Sequence, residues 1–362
     1  MLSATRTEWN ELYVVFSLLH QGQLVLGNAG GTPSDSSLPI GRLTRQEHDG
    51  KRDYTIHPDT IELTGEDLHM EVPREDFGTV AALILHTLKA SHQDEPEAPE
   101  GVKAFLDALH IYDMEARTDD RTDFYLTFHD TSFPPMGFRI YSRLCTMPAL
   151  LDGGRTANLK LRQEGIRFAA PAVNKINYTD TPDNADEVAR RMLYIESMGG
   201  ILKYDDVADK VFRANLQLID LNMGRVLCDM VRTMHLDNVY KVNALTTLLE
   251  EHNPLKIKEE VIRKHGYYRY KVKQLLMAIA LGMRPAKQYD GTESAVAGFV
   301  MADAEGGLLG YRKTEREVFA NYLFDHTRLE KGSPEKDKYG YLERENGQYY
   351  LKLNLKIGFV KK

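Results

Sequence analysis

The chain has 362 residues, 42% hydrophobic and 27% charged, with a formal net charge of −7, as in an ordinary soluble globular protein with room for two or three domains. The acidic balance argues against a general nucleic-acid coating protein, which would be basic. It allows a sequence-specific DNA enzyme that concentrates positive charge in one cleft. Two cysteines, no signal-peptide stretch and no apolar run near the roughly 20 residues of a membrane span predict a cytoplasmic protein without disulfides.

Apolar spacing and turn residues predict the elements of the first part of the chain. In order, we expect a helix over 5–20 that ends at Gly22, short strands within 23–75, a helix over 77–91, an acidic proline-bearing linker over 93–100 and a short helix over 101–110.

The second part of the chain mixes strands and helices, so the predicted class is α+β, a mixed sheet flanked by helices. In order, we expect strands over 124–128 and 137–142 joined by a turn at Pro134-Pro135, a third strand of the same sheet over 156–162, helices from about 184 to 282, a hairpin over 295–301 and 308–311, a helix over 313–325 and a final β unit over 339–359.

The two strands beside Pro134-Pro135 carry the pattern of a metal-dependent nuclease of the PD-(D/E)xK type. There an acidic residue opens one strand, and an acidic-x-lysine triplet lies on its hairpin partner. Asp123 opens the first strand, and alternation places Arg139 and Tyr141 on one sheet face, at the acidic and lysine positions. Asp123 is therefore the predicted ligand of Mg²⁺ or Mn²⁺, which would activate water and neutralise charge on the phosphate. The plain alternative is an aspartate that caps a turn.

Further catalytic groups are needed, because Tyr141 cannot supply a fixed positive charge. Glu8 and Glu11 are neighbours on the predicted first helix, and either could be a second metal ligand if that helix packs on the sheet. The alternative is a solvated helix face. Lys160 on the predicted third strand is a candidate replacement cation, because adjacent strands lie about 4.8 Å apart; otherwise it is an ordinary surface residue.

Basic residues near these strands and in the C-terminal part are candidates for DNA contacts. The densest basic and aromatic stretch is 263–273, which suits phosphate contacts from Lys, Arg and Tyr, although such runs are also found on plain solvated helices. The predicted DNA-binding residues are Arg139, Ser142, Arg143, Asn158, Arg162, Arg269, Lys271, Lys273 and Arg328.

The order of several short motifs resembles the HpaII family of type II restriction endonucleases over nearly the whole chain. The opening TEWNELY is similar to the family's G-E-W-S-E-x-Y, and GFRIYS at 137–142 is similar to G-F-S-I-K-S. The C-terminal segments similar to family motifs are ALGM at 280–283, Asp290-Gly291, FANYLFDHTRLE at 319–330 and KLNLKIGF at 352–359.

The resemblance implies a Mg²⁺-dependent enzyme that cuts both strands of a short palindromic DNA site, a homodimer and a cognate DNA methyltransferase. It implies a nuclease-like core over 1–240 and a region for DNA recognition or dimerisation over 241–362. Two departures limit this transfer: Tyr141 stands at the family lysine, and ALLD at 149–152 replaces T-L-L-N, so the family's target sequence is not carried over. The alternatives are a DNA-binding protein of this fold that has lost cleavage, and a DNA-repair or structure-specific nuclease.

Overall fold

A computed structural model describes residues 2–116, 118–129, 132–179, 185–291 and 294–361. The α+β prediction is confirmed. The helices are α1 Arg6–Gln21, α2 Arg74–Ala90, α3 Val102–Ala108, α4 Ala170–Tyr178, α5 Glu187–Ser197, α6 Lys210–Ile219, α7 Met223–Asp237, α8 Val242–His252, α9 Glu259–His265, α10 Tyr267–Ala280, α11 Arg316–His326 and α12 Pro334–Asp337. None of them is long and apolar enough to cross a bilayer.

The strands confirm both predicted hairpins. They are β1 Gln23–Gly27, β2 Pro33–Glu47, β3 Gly50–Ile56, β4 Thr60–Thr64, β5 His69–Pro73, β6 Phe124–Phe128, β7 Met136–Ser142, β8 Leu151–Asp152, β9 Asn158–Glu164, β10 Ile201–Val207, β11 Val296–Ala302, β12 Leu308–Arg312, β13 Thr327–Leu329, β14 Leu342–Glu345, β15 Gln348–Asn354 and β16 Lys356–Phe359. Strand β10 lies inside the span predicted to be helical. It pairs antiparallel with β9.

The chain divides into two compact units: Met1–Pro148 with Glu293–Tyr322, and Ala149–Thr292 with Leu323–Lys362. This division differs from the predicted boundary after residue 240. The physical reason is that β11 and β12, which come late in the sequence, pair in the same sheet as the early strands.

In the first unit, nine strands form one sheet in the order β1-β12-β11-β7-β6-β2-β3-β4-β5. The β6–β7 pair is antiparallel, whereas β7 and β11 are parallel. Alternating residues of β6 and β7, such as Leu126 and Phe138, are fully buried in one core with the apolar face of α1. Helices α1 and α2 pack against each other in this core, where Phe16 lies edge-on to Phe77 at 5.5 Å.

Helix α1 is fixed at both ends by local sequence. Thr5 caps its start and Gly22, at a φ of 62°, ends it. The predicted linker over 93–100 pairs with the chain entering this helix: the Arg6 amide donates to the Asp94 carbonyl at 3.1 Å, and the Trp9 indole donates to Pro96 at 2.9 Å. The linker therefore holds the helix that carries Glu8 and Glu11.

The second unit contains a four-stranded sheet in the order β10-β9-β15-β14 and a three-stranded sheet in the order β13-β16-β8. The prediction that 156–162 forms a third strand of the Asp123 sheet is wrong. Strand β9 pairs with β10 and β15, and Lys160 stands opposite Asp206 and Lys352. Alternation along β9 gave no information about its partners, because a strand with one apolar face fits any sheet with a complementary face.

Candidate active site

Asp123 lies immediately before β6 and is tied to β7 through its backbone and its side chain. Its amide donates to the Phe138 carbonyl at 2.8 Å, and its Oδ2 accepts from the Ile140 amide at 2.6 Å. Oδ1 makes no hydrogen bond to any residue that the structure describes. The β-pairing therefore fixes the carboxylate and leaves one of its oxygens for a ligand.

Glu11 projects from α1 and is 8% exposed. Its Oε1 accepts three hydrogen bonds: from Arg45 Nε at 3.1 Å, from Arg45 Nη2 at 2.8 Å and from the Ala116 amide at 2.7 Å. Oε2 has no such partner within the described part of the chain. Like Asp123, Glu11 is thus held by one oxygen, while the other is available.

The two carboxylates share an electrostatic environment. Burial raises the pKa of Glu11 above its usual range, and the charge of Asp123 adds to that rise, although Arg45 opposes it. Burial also raises the pKa of Asp123, whereas the hydrogen bond from the Ile140 amide and the charge of Arg139 lower it. Ionising both groups in one poorly solvated place is costly, and a divalent cation would relieve that cost.

Glu8 has another partner. Its Oε2 accepts from the Thr5 amide and from the Thr5 hydroxyl, both at 2.7 Å, and its own amide donates to that hydroxyl. This capping box satisfies the first turn of α1. The sequence signal was present, because Thr5 and Glu8 have the T-x-x-E spacing. Of the two candidate glutamates, Glu11 is the one on whose pKa the charge of Asp123 acts.

Arg139 and Tyr141 lie on the same face of β7, as alternation predicts. Arg139 Nη1 donates to the Tyr141 hydroxyl at 3.1 Å, and the guanidinium lies 5.3 Å from the centre of the tyrosine ring. Tyr141 is 2% exposed and lies edge-on to Phe299. Burial raises the pKa of Tyr141, so this side chain stays neutral. Arg139 is the cation whose charge acts on Asp123 from the same strand pair.

The candidates on β9 belong to the four-stranded sheet of the second unit, so the expected adjacency of Lys160 to the Asp123 strands is wrong. Lys160 Nζ binds Glu345 at 2.7 Å and lies over the Tyr350 ring. Arg162 pairs with Glu164 at 2.7 Å. Asn158 is 2% exposed and donates to the Asp337 carbonyl at 2.9 Å, so its amide supports the fold.

The remaining candidates differ in accessibility. Ser142 is buried, and its Oγ accepts from the Leu144 amide, whereas Arg143 is half-buried. Arg328 pairs with Glu330 at 3.0 Å. The structure therefore makes Ser142 a local turn residue.

The basic stretch forms two helices separated at Gly266, which has a φ of 58°. On α10, Arg269 is half exposed, and both Arg269 and Lys273 lie over the ring of Phe324. Lys271 is less accessible and pairs with Asp220 at 3.0 Å. Arg269 and Lys273 are four residues apart and so share a helix face, which makes them the better-placed pair for a phosphate.

Sequence reasoning missed Arg45, which holds Glu11. A signal was available: Leu43, Arg45 and Glu47 alternate on β2 and are all buried. A charged residue in register with core residues of a strand indicates a buried ionic contact. Its partner could not be identified from spacing, because Glu11 is 34 residues away on a helix.

Comparison with known proteins agrees with the motif analysis. The family model of the HpaII restriction endonuclease matches residues 5–359. The type II restriction enzyme HpaII of Haemophilus parainfluenzae is 27% identical over 363 residues, which cover 99% of each chain. No solved structure matches the chain.

This protein is therefore a type II site-specific deoxyribonuclease. The chain belongs to the HpaII restriction endonuclease family, as the motifs predicted. Enzymes of this class generally use divalent metal ions. Among the described residues, no cluster of three or more His, Cys, Asp or Glu side chains is placed to hold a metal.

Glu11 and Glu8 offer a matched pair of substitutions on one helix. Glu11→Gln removes a buried charge beside Asp123, and we expect DNA cleavage to fall by about 10²-fold or more, as for loss of a metal ligand. Glu8→Gln preserves the capping box, because glutamine also serves there, and should cleave within a few-fold of wild type. Initial rates on plasmid DNA, with thermal unfolding to verify folding, test this pair. Equal loss in both variants would contradict the assignment.

Arg139, Tyr141 and Lys160 can be separated in the same cleavage assay. We expect Arg139→Ala to reduce cleavage by about 10²-fold, as for removal of one charge-stabilising group, and Lys160→Ala to stay near wild type because Lys160 is already paired with Glu345. Tyr141→Phe removes only the hydroxyl that accepts from Arg139 and should cause a smaller defect. A severe defect in Lys160→Ala with a mild one in Arg139→Ala would contradict this assignment.

Proposed function

We propose that the chain cleaves double-stranded DNA at a site built on Asp123 and Glu11, with Mg²⁺ or Mn²⁺ as cofactor. The observation that carries the proposal is the pair of poorly solvated carboxylates from α1 and the start of β6, each held through one oxygen. Asp123 stands before β6, as in the predicted PD-(D/E)xK layout, and Glu11 comes from α1, the packed helix that was expected to supply a second acid.

The carboxylate pair fits a divalent cation. Its members are hard oxygen donors, burial raises the pKa of both carboxyls, and one oxygen of each makes no hydrogen bond to a described residue. Mg²⁺ is commonly held by one or two carboxylates and otherwise by water and substrate phosphate. When bound, the ion would lower the pKa of a water molecule and neutralise charge on the phosphate.

In the proposed site, Arg139 supplies the positive charge that the family's lysine would supply. It retains its positive charge in any protein environment, and that charge already acts on Asp123. A guanidinium presents several donors to phosphate oxygens. Tyr141 cannot replace the charge, but its hydroxyl accepts from Arg139 Nη1 and its ring supports the guanidinium. We therefore assign phosphate stabilisation to Arg139 and orientation of Arg139 to Tyr141.

DNA contacts in the second unit are assigned to two cations of α10, the exposed Arg269 and the half-buried Lys273. Arg269 and Lys273 share a helix face and both lie over the ring of Phe324. Arg328 on β13, which pairs with Glu330, is a further candidate. We retain the assignment of residues beyond 240 to DNA recognition or dimerisation. The proposal also includes a homodimer on a palindromic site and a cytoplasmic location. It includes a cognate methyltransferase, because a cell that holds such an enzyme must protect its own DNA.

A second candidate function follows from Tyr141 at the lysine position: a sequence-specific DNA-binding protein of this fold with impaired cleavage. Supercoiled plasmid incubated with Mg²⁺ or Mn²⁺ distinguishes the candidates. Discrete fragments support restriction. Binding without nicking supports the impaired protein, and random degradation supports a structure-specific or repair nuclease.

Asp123→Asn should abolish cleavage and leave DNA binding largely intact, because it removes a metal ligand and no phosphate contact. Cleavage by wild type should likewise stop when EDTA removes divalent ions and return when Mg²⁺ is added. Plasmid cleavage and gel-shift affinity are the measurements. Cleavage by Asp123→Asn within a few-fold of wild type would place the active site elsewhere.

Arg269→Ala and Lys273→Ala should each weaken DNA binding and reduce its log–log salt slope by roughly one unit for each phosphate that the variant no longer binds. Lys264→Ala on α9 is the control, because Lys264 pairs with Glu260 within one helix. Affinities over a range of salt concentrations provide the slopes. Unchanged slopes in both α10 variants would make this helix a plain solvated surface.

A further inference from the structure

Arg45 is a charged residue in the core of the first unit, and its side chain has no solvent exposure. A buried guanidinium is costly unless its donors are matched by acceptors. Arg45 meets this condition with two carboxylates and two backbone carbonyls. These acceptors lie on α1, on β2 itself and in the segment around Met114, so Arg45 joins parts of the chain that are far apart in sequence.

The contacts of Arg45 divide between Glu11 and three other acceptors. Nε and Nη2 both donate to Glu11 Oε1, at 3.1 and 2.8 Å. Nη1 donates to Glu47 Oε2 at 2.7 Å. The carbonyls of Asp113 and Met114 accept from Nη1 at 3.2 Å and from Nη2 at 2.7 Å. All the bonds to Glu11 go to one oxygen, which leaves the other out of the network.

The segment around Met114 completes the arrangement. Arg45 holds its carbonyls, while the Ala116 amide donates to the same Glu11 Oε1 at 2.7 Å. Glu11, Arg45 and this segment therefore fix one another. Because the glutamate rotamer is determined by three donors on one oxygen, its second oxygen has a defined direction, which is the condition for a preorganised ligand.

We propose that Arg45 is a positioning residue for DNA cleavage: it holds Oε1 of Glu11 so that Oε2 remains available to the divalent metal ion. This inference rests on the proposed function, in which Glu11 is a metal ligand. Lysine could not replace Arg45 fully, because a single ammonium cannot reproduce the planar set of donors that reaches Glu11, Glu47 and the two carbonyls together.

Arg52 provides a matched control. It stands opposite Arg45 on the neighbouring strand β3, and its side chain is equally buried. Its guanidinium donates to the Leu109 carbonyl at 2.6 Å and to Asp49 at 2.8 Å. Replacement of Arg52 therefore disturbs the same sheet and the same loop region without changing a direct contact to Glu11.

The experiment compares Arg45→Met and Arg45→Lys with Arg52→Met and Arg52→Lys. Mn²⁺ binding to the full DNA-free chain is measured by electron paramagnetic resonance at a temperature where each variant is folded. We expect Arg45→Met to weaken Mn²⁺ binding by about 10- to 100-fold, the usual effect of removing a group that orients a ligand. Arg45→Lys should recover part of the affinity, and both Arg52 variants should bind Mn²⁺ like wild type.

Kinetics and stability give independent readouts. The Arg45 variants should lower kcat with KM for DNA little changed, because Arg45 makes no contact with substrate in this proposal. Both Arg45→Met and Arg52→Met should lower Tm, since each leaves buried acceptors unpaired. Equal Mn²⁺ affinity in wild type, Arg45→Lys and Arg52→Lys would overturn the positioning role. If Arg45→Met does not fold, the lysine pair alone decides.

Glu11→Gln in the same binding assay separates the two levels of the proposal. If Glu11→Gln weakens Mn²⁺ binding and Arg45→Lys does not, only the positioning role is overturned. If Glu11→Gln binds Mn²⁺ like wild type, Glu11 is not a ligand and the proposed site itself fails. In the Glu11→Gln background, Arg45→Lys should cause no further decrease in affinity, because Arg45 acts through Glu11. An additive decrease would contradict this.

Discussion

The candidate site depends on the burial of Glu11 against Arg45. A carboxylate on the inner face of α1 would be unfavourable in the core without a fixed counter-charge. Arg45 supplies that charge from β2 and is itself neutralised by Glu47. A buried charge is strongly disfavoured when its partner is missing. Helix α1, strand β2 and the segment around Met114 therefore stabilise one another. The position of the carboxylate thus follows from the electrostatics of the core.

Asp123 is positioned by a different constraint, the hydrogen bonding of a sheet. Its amide and its carboxylate both bind β7, so the pairing of β6 with β7 sets its position. Strand β7 is in turn held on its other side by β11, which runs parallel to it. The candidate site therefore combines a core charge network with a central strand pair of the first unit.

Local signals were sufficient for many of these elements. The capping Thr5 and the terminal Gly22 bound α1, and alternation with turn residues gave the β6–β7 pair and the β11–β12 hairpin. The failures concern partners across long sequence separations. The sheet to which β9 belongs and the pairing of Arg45 with Glu11 are tertiary choices, which one strand's periodicity cannot specify. The prediction of Asp123 rests on local pattern alone, whereas the preference for Glu11 over Glu8 in the proposed site comes from the structure.

The departure at Tyr141 has a physical logic within this site. Relative to the family pattern G-F-S-I-K-S, the segment GFRIYS moves the positive charge two residues along one face of β7, from the lysine place to Arg139. Two residues along a strand is a full repeat of the pleat, so the cation remains on the same side of the sheet. A guanidinium is longer and more delocalised than an ammonium, and it needs lateral support to keep one orientation. The buried ring of Tyr141, held edge-on by Phe299, provides that support. In the proposed site the two departures act together: Arg139 supplies the charge that acts on Asp123, and the hydroxyl and ring of Tyr141 contact its guanidinium.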